Sequence, residues 1–217
     1  GIRKDFLFDN IKLTPNIVYS KKKYLKLWDA ISDLPQIGSG KGQEEQKYSN
    51  KPKNKYQSLM RKNSKKIHNH VSMKHTDRLI ERFKQIKYGQ SVKDVGKKYS
   101  QRKRGDANKL SGKVYSQNNM RPFPNLPSPT VAASFQSNFI HPYLDRNFTA
   151  REAARIQSFP DTYIFKGKRH TGGLRRAGNP QKGIFEREVP KYTQIGNAVP
   201  VELAKRLGLN LTKLLKN

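Results

Sequence analysis

The chain has 217 residues, no cysteine, and 45 Lys or Arg against 16 Asp or Glu, a formal net charge of +29. The missing cysteine excludes disulfides, thiolate zinc sites and a cysteine nucleophile within these residues. So large a charge repels itself unless a polyanion neutralises it, which favours nucleic acid over an anionic membrane surface.

No apolar run is long enough to span a bilayer and no signal-peptide pattern occurs, so the expected setting is cytoplasmic and nucleoid-associated. Hydrophobic content is 34%, low for a chain of this size, and predicts that part of it is loop.

In chain order, "GIRKDFLF" reads as the end of a strand, with Ile2, Phe6 and Phe8 on one alternating face. "YLKLWDAISDLP" predicts a short helix on the Tyr24, Leu27, Trp28, Ile31 stripe, stopped by Pro35. The stretch "QIGSGKGQEEQKYSNKPKNK" is a loop by composition. Residues 46–76 hold nine Lys or Arg and no acidic residue. They read either as a solvated surface segment or as one that faces phosphates.

"HTDRLIERFKQIKYG" predicts a helix with Leu79, Ile80, Phe83 and Ile86 on one face, started by Thr76 or Asp77 and closed by Gly89. "GKKYSQRKRGDANK" is a second basic loop. "RPFPNLPSPTVAASF" is too proline-dense for helix and delivers an extended chain into "TVAASF", a candidate strand.

Thr149-Ala150-Arg151-Glu152 is a capping box. The Thr149 hydroxyl can bond the Glu152 amide, and the Glu152 carboxylate can bond back to the Thr149 amide. Pro160 ends that helix. Residues 166–182 read as loop. A last helix over residues 199–215 carries a Leu203, Leu207, Leu211, Leu214 stripe, with Asn197 as its cap and Pro200 in its first turn. Gly196 permits a tight bend before it, and the exposed amides at its mouth form a modest anion site. His68, His70 and His75 lie close in sequence, but without cysteine and with only Asp77 nearby they predict no metal site.

"QIGNAVP", with "RNFTAREAARIQSFPD" roughly forty residues before it, resembles the C-terminal motifs X and IX of the DNA cytosine-5 methyltransferases. "PSPTVAAS" is similar to the end of that family's target recognition domain, with Thr130-Val131 as the Thr-hydrophobic pair. "GIRKD" and "AISDLP" are similar to the segments that follow motif VIII.

The resemblance implies an α/β parent fold, Rossmann-like and S-adenosylmethionine-dependent, of which this chain supplies only C-terminal elements plus a small mixed α+β recognition domain. The implied division is 1–36 as the end of a catalytic segment and linker, 37–140 as the recognition domain, and 141–217 returning to the catalytic domain. In that case Ile2 and Lys205 should lie close together.

The family's Pro-Cys nucleophile and Gly-rich motif I do not occur in this sequence. The resemblance therefore implies a C-terminal portion, inactive alone, which works with an N-terminal catalytic half on the same or a separate chain. It also implies double-stranded DNA as substrate and S-adenosylmethionine as a shared cofactor. Asn197 and Ala198 match the motif X positions that border the cofactor's methionine end. Thr130 would lie near the flipped nucleotide.

The basic segments 47–74 and 97–109 suit phosphate contact, with Lys103 among them, and Arg102, Arg104 and Arg121 are candidate base readers because Arg pairs bidentately with guanine. Arg146, Thr149, Arg151 and Glu152 match motif IX, with Glu152 expected to cap a helix rather than move a proton. The competing reading is a free-standing basic DNA- or RNA-binding protein, for which a cofactor-facing helix mouth has no use.

Overall fold

The computed structural model describes residues 24–103, 105–112, 114–133, 135–169, 180–183, 185 and 189–214. The strand expected at Ile2, Phe6 and Phe8, and its closeness to Lys205, lie outside the described residues. In chain order the elements are α1 (Leu27–Ile31), β1 (Gly42–Lys47), α2 (Lys55–Met60), β2 (Lys66–Val71) and α3 (Asp77–Gln85). The short strands β3 (Arg102–Lys103) and β4 (Asp106–Leu110) come next. The helices α4 (Ala150–Ile156), α5 (Lys191–Asn197) and α6 (Val201–Leu214) complete the order.

The capping box forms and starts α4. Thr149 Oγ1 accepts from the Glu152 amide at 3.1 Å, and Glu152 Oε2 accepts from the Thr149 amide at 2.7 Å. Helix α4 is buried nearly all round, including Arg151, Glu152 and Arg155. Around it, α1 contributes Leu27 and Ile31, β2 contributes Ile67, and α5 contributes Tyr192 and Ile195. Phe135 stacks on Phe148 at 5.9 Å in the same core. Fully burying one such side chain is worth about 1.5–3 kcal/mol.

This core draws on residues before 36, between 37 and 140, and after 141, so packing does not break at those positions. A smaller cluster sits under α3, where Phe83 and Ile86 meet Ile140 with Leu79 against them. Three of the four residues predicted for that face therefore pack as expected.

Four expectations need correction. The 36–55 stretch is not wholly loop: it contains β1 and the start of α2. Strand β1 is polar throughout, and it exists because β2 pairs with it antiparallel, from Gly42 opposite Val71 to Lys47 opposite Lys66. Gly42 is required there, since its φ is +99° and a Cβ would meet His70 O at 2.2 Å. The second basic loop contains the β3–β4 hairpin. "TVAASF" is not a strand; Val131 is buried and a 3-10 turn begins at Phe135. Tyr24 precedes α1 and is exposed.

The sheets among the described residues are two antiparallel pairs, β1–β2 and β3–β4. The parallel sheet expected of the parent domain is not among them. No helix among the described residues is long and apolar enough to cross a membrane.

Candidate functional site

The chemistry-bearing residues of α4 point into the protein. Arg146 grips Glu152 through two hydrogen bonds of 2.8 and 2.7 Å, with both side chains fully buried. Its Nε also donates to Ile37 O at 2.6 Å, tying α4 to the segment after α1. Burial pushes the Glu152 carboxyl up, but the Arg146 charge and its hydrogen bonds outweigh that and hold it well below the usual carboxylate range. A carboxylate so paired stays ionised and donates no proton. Its work is capping and orientation.

The other two arginines behave alike. Arg155 makes a two-pronged pair with Asp161, 2.6 Å on each side, and reaches Asp33 at 3.2 Å. Tyr48 donates to Asp161 at 2.6 Å, and Arg61 meets Asp33 at 3.2 Å. Arg151 donates to the carbonyls of His68 at 2.8 Å and Tyr163 at 2.6 Å. The ion pairs thus fasten α1, α2 and the turn after α4 to one helix.

The histidines are engaged by other protein groups. His70 is buried, with Nε2 2.8 Å from Pro35 O and Nδ1 2.9 Å from Thr149 Oγ1. The carbonyl can only accept, so Nε2 carries the proton and Nδ1 accepts from the Thr149 hydroxyl. His75 Nε2 accepts from the Asn147 amide at 3.2 Å, and His68 lies 3.7 Å from Glu45. No group of metal-ligating side chains occurs among the described residues.

The helix mouth near "QIGNAVP" differs from the sequence reading. Asn197 ends α5 rather than capping α6. The first amides of α6 are met by the turn after α4: Val201 N bonds Gln157 O at 3.1 Å, and Glu202 N bonds Ser158 Oγ at 3.0 Å. Gln157 Nε2 donates in turn to Ile195 O and Ala198 O, each at 3.2 Å. The Ala198 amide is taken by Ile195 O at 3.3 Å. The expected anion cradle of free amides is therefore largely occupied, and what stands open is the exposed Asn197.

Gly196 serves a close approach rather than a bend, because a Cβ there would lie 2.2 Å from Ala132 O. Beyond the mouth, every side chain described on α6 is at least partly exposed, Leu203, Leu209 and Leu211 among them.

The candidate DNA-facing residues divide. Thr130 is exposed beside buried Val131. Lys103 is exposed and Arg102 half-buried on β3, while Arg104 lies outside the described residues. Arg121 is not a base reader. It is buried and donates to Phe83 O and Ile86 O at 2.7 Å, to His141 O at 2.9 Å and to Asp145 at 2.7 Å. It neutralises the carbonyl end of α3, as a cation at a helix C-terminus does. Arg82 and Arg78, four residues apart on the polar side of α3, face a cleft of about 460 Å³ that Arg102 also lines. The sequence held that signal in two arginines at helical spacing beside a basic loop.

Residues 1–213 match the model of the family described as C-5 cytosine-specific DNA methylase. Over its whole length the chain is 54% identical to the Type II methyltransferase M.DdeI of Desulfomicrobium norvegicum, of which it spans 50%. Over 139 residues, 64% of this chain and 83% of the relative, it is 31% identical to the Type II methyltransferase M.AquIB of Picosynechococcus. A prophage-encoded Escherichia coli protein described as a DNA modification methyltransferase shares the fold at a TM-score of 0.55 and 21% identity, across 88% of this chain and 47% of that one.

Proposed function

The chain belongs to the C-5 cytosine-specific DNA methylase family, and on that premise we propose that it is the DNA-holding, cofactor-closing portion of a DNA cytosine-5 methyltransferase of restriction-modification type. Another stretch of protein supplies the thiolate that attacks cytosine C6 and most of the S-adenosylmethionine pocket, in the bacterial cytoplasm. The observation that carries this reading is the use of the motif IX side chains. Arg146, Arg151, Glu152 and Arg155 are all consumed in buried pairs and carbonyl contacts, which leaves them scaffolding to provide and no proton to move.

The absence of cysteine and the half-length match to M.DdeI support the same division of labour. Bound S-adenosylmethionine supplies the methyl group. This chain would meet its methionine end at the exposed Asn197 beside Ala198, since the amides of Ala198, Val201 and Glu202 are already bonded. Thr130, Arg102 and Lys103 would face DNA, offsetting the few kcal/mol of unstacking that extrusion of the target base requires.

The reading is tested by offering duplex DNA and S-adenosylmethionine to the chain alone. It should bind the duplex and transfer no methyl group. Methyl transfer by the isolated chain, or no affinity for duplex DNA, contradicts it.

A further inference from the structure

The cleft between α3 and β3 is lined by Arg78, Arg82 and Arg102 with the amides of Asn118, Asn119 and Gln136, and no carboxylate among the described residues lines it. Three guanidinium groups line it together, with no counter-ion among the described residues. Arg82 is the fixed member: it donates to the carbonyls of Tyr99 and Ser100 and to Asn119 Oδ1 at 3.3 Å. Burial first, then the neighbouring charges of Arg78 and Arg102, lower its pKa. Arg78 donates to Ser100 O at 3.0 Å. Neither Arg78 nor Arg102 forms an ion pair among the described residues. Like charges held this close are destabilising in the free protein and become favourable once an anion enters.

We propose that this cleft is a phosphodiester slot for the backbone of duplex DNA, with Arg78 and Arg102 gripping phosphate oxygens and Arg82 holding the strand's seat rigid. The proposal rests on the DNA-binding reading above and deepens it. Arg102 becomes a backbone-gripping residue rather than a reader of guanine, and Arg78, on a different element, becomes its partner. Guanidinium forks match phosphate geometry, and each phosphate neutralised releases condensed counter-ions.

The test is a salt titration of duplex DNA binding by the full chain, read by fluorescence anisotropy. In Arg78→Gln/Arg102→Gln the slope of log affinity against log salt should fall by about 2, and in Arg78→Gln alone by about 1. Arg78 is exposed, so that single variant should keep the fold, checked by an unchanged melting temperature. A control, Lys205→Gln/Arg206→Gln on exposed α6, removes equal charge and should leave the slope unaltered. An unchanged slope in the cleft variants overturns the slot alone, as does an equal fall in the control. No duplex binding by the unaltered chain overturns both the slot and the reading it rests on.

Discussion

Gly196 on α5 lies so close to Ala132 that a methyl group added to it would sit 2.2 Å from Ala132 O and 2.6 Å from Ala133 N. The helix that ends at Asn197 therefore bears directly on the segment that follows Thr130. Both neighbours are backbone and neither can swing aside. Gly196→Ala should cost about 1–3 kcal/mol through forced backbone shifts. Urea unfolding measures the loss, and a stability within experimental error of the unaltered chain would show that the two segments are not in contact.

The buried Arg146–Glu152 pair predicts an asymmetry. Glu152→Gln leaves a buried guanidinium short of its counter-charge and should cost about 3–5 kcal/mol. Replacing both partners with apolar residues of similar volume, Arg146→Met with Glu152→Leu, should cost less than the single change. The cap at Thr149 would be weakened in both. Denaturant midpoints of the three proteins decide the order.

The clamp between the turn after α4 and the mouth of α6 predicts a local effect. Ser158 Oγ is the acceptor for Glu202 N, so Ser158→Ala should cost about 1 kcal/mol, as loss of a helix cap does. Amide exchange should speed up at Glu202 and along the first turn of α6, while protection in α4 is retained. Uniformly faster exchange would mean that the hydroxyl supports the whole core instead.

Much of this was legible beforehand, and the boundary is physical. The capping box, the apolar face of α3 and the presence of α4 follow from local spacing, which acts within one turn of chain. Strand β1 was not legible, because "GQEEQK" has no strand pattern and is held by its partner β2. Asn197 looked like an N-cap, yet it ends α5, and the first amides of α6, at Val201 and Glu202, are met by Gln157 and Ser158, some forty residues earlier. Arg121 looked like a free arginine; only tertiary contact shows it spent on the carbonyl end of α3. Residues whose role is set by distant chain are the ones sequence reasoning misplaced.

Acid sensitivity should come first from histidine. Burial, and behind it Arg146, lowers His75 to about 4 and His141 to about 3, against an ordinary 6.5, although Glu152 partly opposes the shift at His141. In the unfolded chain both rings take up protons as the pH falls through 6.5, whereas in the fold they stay neutral until near those lower values. The unfolded state then binds more protons, so stability is full above about 6.5 and declines as the pH drops towards 4. Urea midpoints at pH 7 and pH 5 should show the decline, and His141→Gln should make it shallower. A flat profile would mean these rings are not shielded.

In the proposed division of labour this chain holds DNA while other residues form the covalent bond. It is tested most directly by mixing the chain with the half of M.DdeI that it does not match, and following labelled methyl transfer from S-adenosylmethionine to duplex DNA. Transfer is expected from the mixture and from neither component. Transfer by this chain unaided, or a mixture that stays inert although the two halves associate, would contradict it.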